Sequence, residues 1–212
     1  HHHCAPLFRP GDYGSLEIHR SLTESPYAEL LPTEVALAEA QALEFQGLAM
    51  KALSPTHRLL HNILHSQLVD HNHADGIFPL RSLHEVITES TANQKGTDWS
   101  FIQSRMEQHD WGNALQAYLY LANKLFGMPI PEGIRKTLPS RLYYQRCCAQ
   151  LSWQWANEWG LRLGRYSSDA MRKKYGCENG WIAVNRARLR QLRSRFSVFL
   201  AELKNKPQNS RL

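Results

Sequence analysis

From residue 54 onward the apolar side chains recur three and four apart, and this sustained helical spacing constrains the fold more than any other feature. Ser54 followed by Pro55 is a start signal: the hydroxyl can accept from a first-turn amide, and proline presets φ where its missing N–H costs nothing. Leu59, Leu60, Ile63, Leu64 and Leu68 then form one apolar stripe. The spacing predicts further helices over 80 to about 89, from a cap at Thr97 or Asp98, and over 111–126, the last closing at Gly127 with Pro129 and Pro131 beyond. Two long helical stretches follow. The first, 141 to about 163, carries Tyr143, Tyr144, Trp153, Trp155 and Trp159. The second, 181 to about 203, spaces Leu189, Leu192, Phe196, Phe199 and Leu203 three and four apart, flanked by arginines 186, 188, 190, 193 and 195.

Ahead of Ser54 the pattern differs. Residues 5–22 read as a hairpin: an extended Pro6-Leu7-Phe8-Arg9, a turn-rich Pro10-Gly11-Asp12-Tyr13-Gly14, and the alternating Ser15-Leu16-Glu17-Ile18-His19. That alternation sends Leu16 and Ile18 toward the core and leaves Glu17 and His19 together on the other face. A short helix is expected over 33 to about 40. A second hairpin is expected from Leu43-Glu44-Phe45 and Ala49-Met50-Lys51 around Gly47. The fold class is α+β, predominantly helical: short amino-terminal strands, then a helical bundle. The organisation expected is 1–53, 54–131 and a basic extension, 132–212.

A hydrophobic share of 42% and a charged share of 21% suit a folded globular chain rather than a disordered one. No apolar run approaches the roughly 20 residues of a membrane span. Cys4, Cys147, Cys148 and Cys177 have no framework spacing and two are adjacent, so the expectation is a reducing, cytoplasmic setting without disulfides. The formal charge of +6 hides an asymmetry: residues 1–132 carry 8 Lys/Arg against 15 Asp/Glu, and residues 133–212 carry 17 against 4. The two parts can attract each other, or the basic part can face a polyanion such as nucleic acid.

Several groups of residues could carry chemistry. His57, His61 and His65 lie four apart along one helical face, with His71, His73 and His84 nearby. Four-residue spacing suits metal ligands, but no Glu follows the first His and no Cys is near, so packed, hydrogen-bonded histidines are the simpler reading. Arg81 and Glu85 can pair along a helix, weakly at a surface or as an orienting element if buried. The aromatics of 143–159 fit core packing first and base stacking second. Gly14-Ser15 is not followed by Asp-x-Asp, and no glycine-rich phosphate loop or nucleophilic triad is present.

The order of these motifs is itself informative. Ala5-Pro6-Leu7 precedes Leu16-Glu17-Ile18-His19-Arg20. Next come Leu53-Ser54-Pro55, Leu59-Leu60-His61-Asn62-Ile63-Leu64-His65 and Leu80-Arg81-Ser82-Leu83-His84-Glu85-Val86. Asp98-Trp99 and Leu125-Phe126-Gly127-Met128-Pro129-Ile130-Pro131 complete the series. Over about 1–131 this series resembles the later part of the uncharacterised nucleotidyltransferase family of bacteria, within the Pol β-like superfamily.

The resemblance implies an upstream sheet bearing Gly-Ser and paired aspartates, then a strand of the Glu17–His19 type, with helices packed behind. It implies that His1, His2 and His3 are native rather than a tag remnant. It places Glu17 at or near the third acidic position, as a catalytic and metal-holding residue, with His19 beside it. It makes His61, His65, Arg81 and Glu85 the characteristic helical residues, either binding or supporting those that bind; Glu85 stands where the family usually has Asp. The implied substrates are a nucleoside triphosphate and an unknown acceptor, with Mg²⁺ expected only in the complete protein. One carboxylate cannot hold the two Mg²⁺ ions that such chemistry uses, so the chain is expected to be inactive alone. The alternative is a non-catalytic helical module whose Arg186, Arg190 and Arg193 bind an anionic partner such as nucleic acid.

Overall fold

The computed structural model describes residues 4–11, 13–93, 96–175 and 181–204, apart from the side chains of 168–169, 172–173, 181, 195–196 and 198–204. His1–His3, Asp12, Cys177, the side chains of Arg195, Phe196, Phe199 and Leu203, and the tail from 205 lie outside the described residues. The chain forms two compact units, 1–161 and 162–212.

The first unit opens with a minimal antiparallel hairpin, β1 (Leu7–Phe8) and β2 (Ser15–Leu16). A short helix, α1 (Thr33–Ala38), leads into a second hairpin, β3 (Gln41–Phe45) and β4 (Leu48–Ala52), with Phe45 opposite Leu48 across the turn. Gln46 and Gly47 both have positive φ there, the conformation that a two-residue hairpin turn requires. Both hairpins were legible in the sequence; their burial was not. Leu16 and Ile18 are exposed rather than core-facing, and Leu43, Phe45, Leu48 and Met50 are exposed too. Strands of two to five residues paired only with each other have no second layer to bury a face against.

The helices make the core. In α2 (Pro55–Leu64) the Ser54 hydroxyl accepts from the His57 amide at 3.3 Å, as the cap signal implied. Leu59, Leu60, Ile63, Leu64 and Leu68 are all buried. Full burial of one such side chain is worth roughly 1.5–3 kcal/mol. The helix α3 (Asn72–Asp75) is short, and α4 (Leu80–Ala92) lies against α2, where Arg58 pairs with Glu89. Asp98, not Thr97, caps α5 (Trp99–Gln108): its carboxylate accepts from the Ser100 hydroxyl and the Phe101 amide, which hold it below the usual carboxylate range. The long α6 (Gly112–Phe126) buries Leu115, Tyr118, Leu119 and Ala122 and stops at Gly127, whose φ of 73° no branched residue adopts cheaply.

The expected helix over 141–163 is two helices. α7 (Leu138–Ser152) starts earlier, at a Thr137–Ser140 capping box, and α8 (Gln154–Gly164) follows a break at Trp153, whose backbone is extended. Tyr143 is buried, but Trp153, Trp155 and Trp159 are more than half exposed, which corrects the core-packing reading for all three. The break re-aims everything after Trp153, so one periodicity cannot serve both helices.

In the second unit, α9 (Ser168–Tyr175) packs against α10 (Trp181–Lys204) through Met171, Val184 and Ala187. Leu189 and Leu192, the described members of the stripe read from the sequence, are exposed rather than on the buried face of α10. No helix among the described residues is long and apolar enough to cross a membrane.

Candidate functional site

The residues singled out in the first unit fall into two groups that meet at the adjacent His61 and Asn62 on α2. The first gathers the histidines. His19 Nε2 stands 3.8 Å from Glu17 Oε2, on the exposed segment after β2. That segment continues to Leu22, whose carbonyl lies 3.0 Å from His61 Nε2 on α2. The pairing places the Glu17–His19 segment beside the α2 histidines. His61 and His65 have ring centroids 6.0 Å apart, as residues one turn apart should.

His61 is pushed below its ordinary pKa, first by burial and then by the charges of His65 and His19; its bond to Leu22 opposes this only in part. It is therefore a neutral imidazole near pH 7, tied to the backbone at one nitrogen. His65 Nδ1 lies 3.3 Å from Asp70 Oδ2. Between them the chain makes a π-helical turn, His65–Val69, closed by a 2.8 Å bond from the Asp70 amide to the His65 carbonyl. One extra residue in that turn widens the helix and brings Asp70 back to His65. Such turns recur at functional positions.

The second group is a relay of polar side chains. Arg81 Nε donates to Glu85 Oε1 at 2.9 Å, and Asn62 Nδ2 donates to Glu85 Oε2 at 2.9 Å. Tyr118 Oη donates to Asn62 Oδ1, also at 2.9 Å. Burial raises the Tyr118 phenol above its ordinary range, so it remains a donor at any physiological pH. The Arg81 side chain is 93% exposed, which selects the surface reading of the Arg81–Glu85 pair over a buried orienting one. The relay runs inward from the half-buried Asn62 of α2 to the buried Tyr118 of α6.

Sequence reasoning missed Asn62, Asp70 and Tyr118. Asn62 stands within the quoted motif between His61 and Ile63, and a polar residue beside a core stripe was the available signal. Tyr118 carried none, because its body packs with α6's apolar residues and only its hydroxyl reaches α2. Arg186, Arg190 and Arg193 lie in the second unit, all exposed on α10.

A groove of about 780 Å³ lies elsewhere on the first unit, between the end of α4, the start of α5 and the 128–132 segment, lined in part by Thr91, Asp98, Trp99, Met128 and Glu132. It contains none of the residues above.

No group of three or more His, Cys, Asp or Glu among the described residues could hold a metal ion. Mg²⁺ demands near-octahedral oxygen ligation, and Glu17 with an imidazole beside it offers a single carboxylate. Cys4, Cys147 and Cys148 are free thiols, and burial pushes Cys147 up to about 11, away from nucleophilic chemistry.

A family model described as uncharacterised nucleotidyltransferase matches residues 1–127, from ahead of the Glu17 hairpin to the end of α6. The chain belongs to the uncharacterised nucleotidyltransferase family. The match covers both polar groups and stops before α7, so the second unit and the arginines of α10 lie outside the family region. Neither the curated proteins nor the solved structures compared with the chain give a match.

Proposed function

We propose that this family member forms the supporting part of an enzyme that transfers a nucleoside monophosphate from a nucleoside triphosphate to an acceptor hydroxyl, and that it does not catalyse the transfer alone. The observation that carries the reading is the family match over a region that sets Glu17 and His19 beside His61 on α2. In such a transfer the acceptor oxygen bonds to the α-phosphorus, pyrophosphate leaves, and the acceptor's proton must go to a base. Glu17 is the exposed carboxylate that would help hold the Mg²⁺ on which triphosphate binding and activation of the acceptor hydroxyl depend, His19 stands beside it, and His61 holds the segment through the Leu22 carbonyl. Asn62, Glu85 and Tyr118 keep α2, α4 and α6 in register beneath.

The exposed apolar residues of both hairpins support the same reading. Leu7, Phe8, Leu16 and Ile18, with Leu43, Phe45, Leu48 and Met50, are what a larger sheet would cover. In this reading Mg²⁺ is held together with carboxylates from outside residues 1–212, since no Asp-x-Asp follows Gly14-Ser15 in this sequence. The test is isothermal titration of the complete gene product with each nucleoside triphosphate, with and without Mg²⁺, on the parent and Glu17→Gln. Mg²⁺-dependent binding that Glu17→Gln weakens at least tenfold supports the reading. Binding that ignores both the metal and the substitution sinks it.

A further inference from the structure

We infer that the outward face of α10 is a docking seam for an acidic amphipathic helix. This rests on the second unit alone and is independent of the proposed transferase reading.

The inference starts from which side of α10 is already used. Val184, Ala187 and Gln191 are buried. Gln191 accepts from Lys174 Nζ at 2.9 Å and donates to the Arg165 carbonyl at 3.0 Å. Arg188 donates to the Tyr166 carbonyl at 2.8 Å and to Asn185 Oδ1 at 3.0 Å. These bonds fix the rotation of the helix. The opposite face carries Ile182, Leu189 and Leu192, each more than half exposed. An internal face that is small and polar, beneath an external face of large aliphatics, inverts the ordinary arrangement of a surface helix.

The external face has a register. Ile182, Asn185, Leu189 and Leu192 fall three and four apart, and in sequence Phe196, Phe199 and Leu203 continue the same spacing without a slip. The described residues make two repeats of a heptad seam on a 24-residue helix about 36 Å long. The single polar seam position, Asn185, is the kind that sets register and partner at some cost in stability.

Charge then selects the occupant. Of the arginines flanking the described part of the seam, Arg188 is engaged with the Tyr166 carbonyl while Arg186 and Arg193 are exposed, and in sequence α10 has no carboxylate before Glu202. Arg186 and Arg193 are exposed along one edge, with Arg190 behind them. A second copy of α10, parallel or antiparallel, would set arginine against arginine along most of this edge. A nucleic acid would pair the arginines but leave the aliphatic seam without apolar contact. A helix with aliphatic seam residues and Glu or Asp at its flanking positions satisfies both features.

The test uses the 212-residue chain and two synthetic 24-residue peptides with Leu and Ile at the seam positions. One carries Glu at every flanking position and the other Lys, so that self-repulsion keeps each from pairing with itself. The chain is expected to bind the Glu peptide at least tenfold more tightly than the Lys peptide. Arg186→Glu/Arg193→Glu should reverse that preference, and Leu189→Asp should abolish binding while far-UV circular dichroism stays unchanged. Because Leu189, Arg186 and Arg193 are exposed, these substitutions leave the α9–α10 contact intact. Equal affinity for the two peptides overturns the inference. So does self-association of the parent that excludes the Glu peptide, which would make the occupant a second copy. Salt-sensitive binding to oligo(dT) that depends on the arginines but not on Leu189, with no peptide binding, would also overturn it in favour of nucleic acid.

Discussion

Acid should unfold the first unit sooner than it would without His73, and the size of the effect follows from where that ring sits. His73, on α3, stacks on Tyr143 of α7 with centroids 4.9 Å apart and planes at 28°. Its Nδ1 is buried and has no hydrogen-bond partner among the described residues. Burial first, and the Arg146 guanidinium second, push its pKa down to about 4. The native state thus favours the neutral ring. Above about pH 6.5 the ring is neutral in both folded and unfolded chains and contributes no pH dependence. As pH falls below that value the unfolded chain takes up the proton first, so stability is lost until about pH 4, below which the loss levels off. At pH 5 the difference between the two pKa values amounts to about 2 kcal/mol, a factor of roughly 30 in the unfolding equilibrium. His73→Phe keeps a ring on Tyr143 and removes the titration. Urea unfolding followed by circular dichroism at pH 7.5 and pH 5 should show the parent losing about 2 kcal/mol more than the variant over that interval. His61, also depressed, remains in both proteins and cancels in the difference. Equal losses in the two proteins would refute the placement of His73 as a buried neutral ring.

Other substitutions probe the packing and the polar relay. Leu60→Ala, at a fully buried position of α2, should cost about 2–5 kcal/mol in the same unfolding assay. Tyr118→Phe should cost about 1 kcal/mol, and a double-mutant cycle with Asn62→Ala should show coupling above about 0.5 kcal/mol; strictly additive effects would mean that their hydrogen bond contributes nothing. Gly76→Ala should destabilise by more than about 1 kcal/mol, because φ is +72° and the added Cβ runs into the Gln150 and Arg146 side chains. Arg81→Ala should shift stability by less than about 0.5 kcal/mol, since its pair with Glu85 is solvent-facing.

What was legible in the sequence was whatever depends on nearest neighbours along the chain. Ser54 and Asp98 cap their helices, Gly127 ends α6, and the Leu59–Leu68 stripe is buried, because each is decided within one or two helical turns. The two hairpins were readable from turn residues and alternation for the same reason. Burial of those hairpins was not, because it depends on a second layer that alternation alone does not supply. The Trp153 break was hidden because aromatic and apolar residues keep helical spacing on both sides of it. In the candidate site, His19, Glu17, His61 and His65 were visible as motif residues. Their grouping depends on the Leu22 carbonyl reaching His61, a backbone contact that no residue type announces. The π-turn that returns Asp70 to His65 and the Tyr118–Asn62 bond are likewise products of packing.

The most direct test of the central proposal is a matched titration with Mg²⁺-loaded nucleoside triphosphates. It compares the 212-residue chain, the complete gene product and its Glu17→Gln variant. The account predicts no measurable binding or turnover by the 212-residue chain, Mg²⁺-dependent binding by the complete product, and a loss of at least tenfold on Glu17→Gln. Turnover by the 212-residue chain alone, or a complete product whose nucleotide binding is indifferent to Glu17, would contradict it.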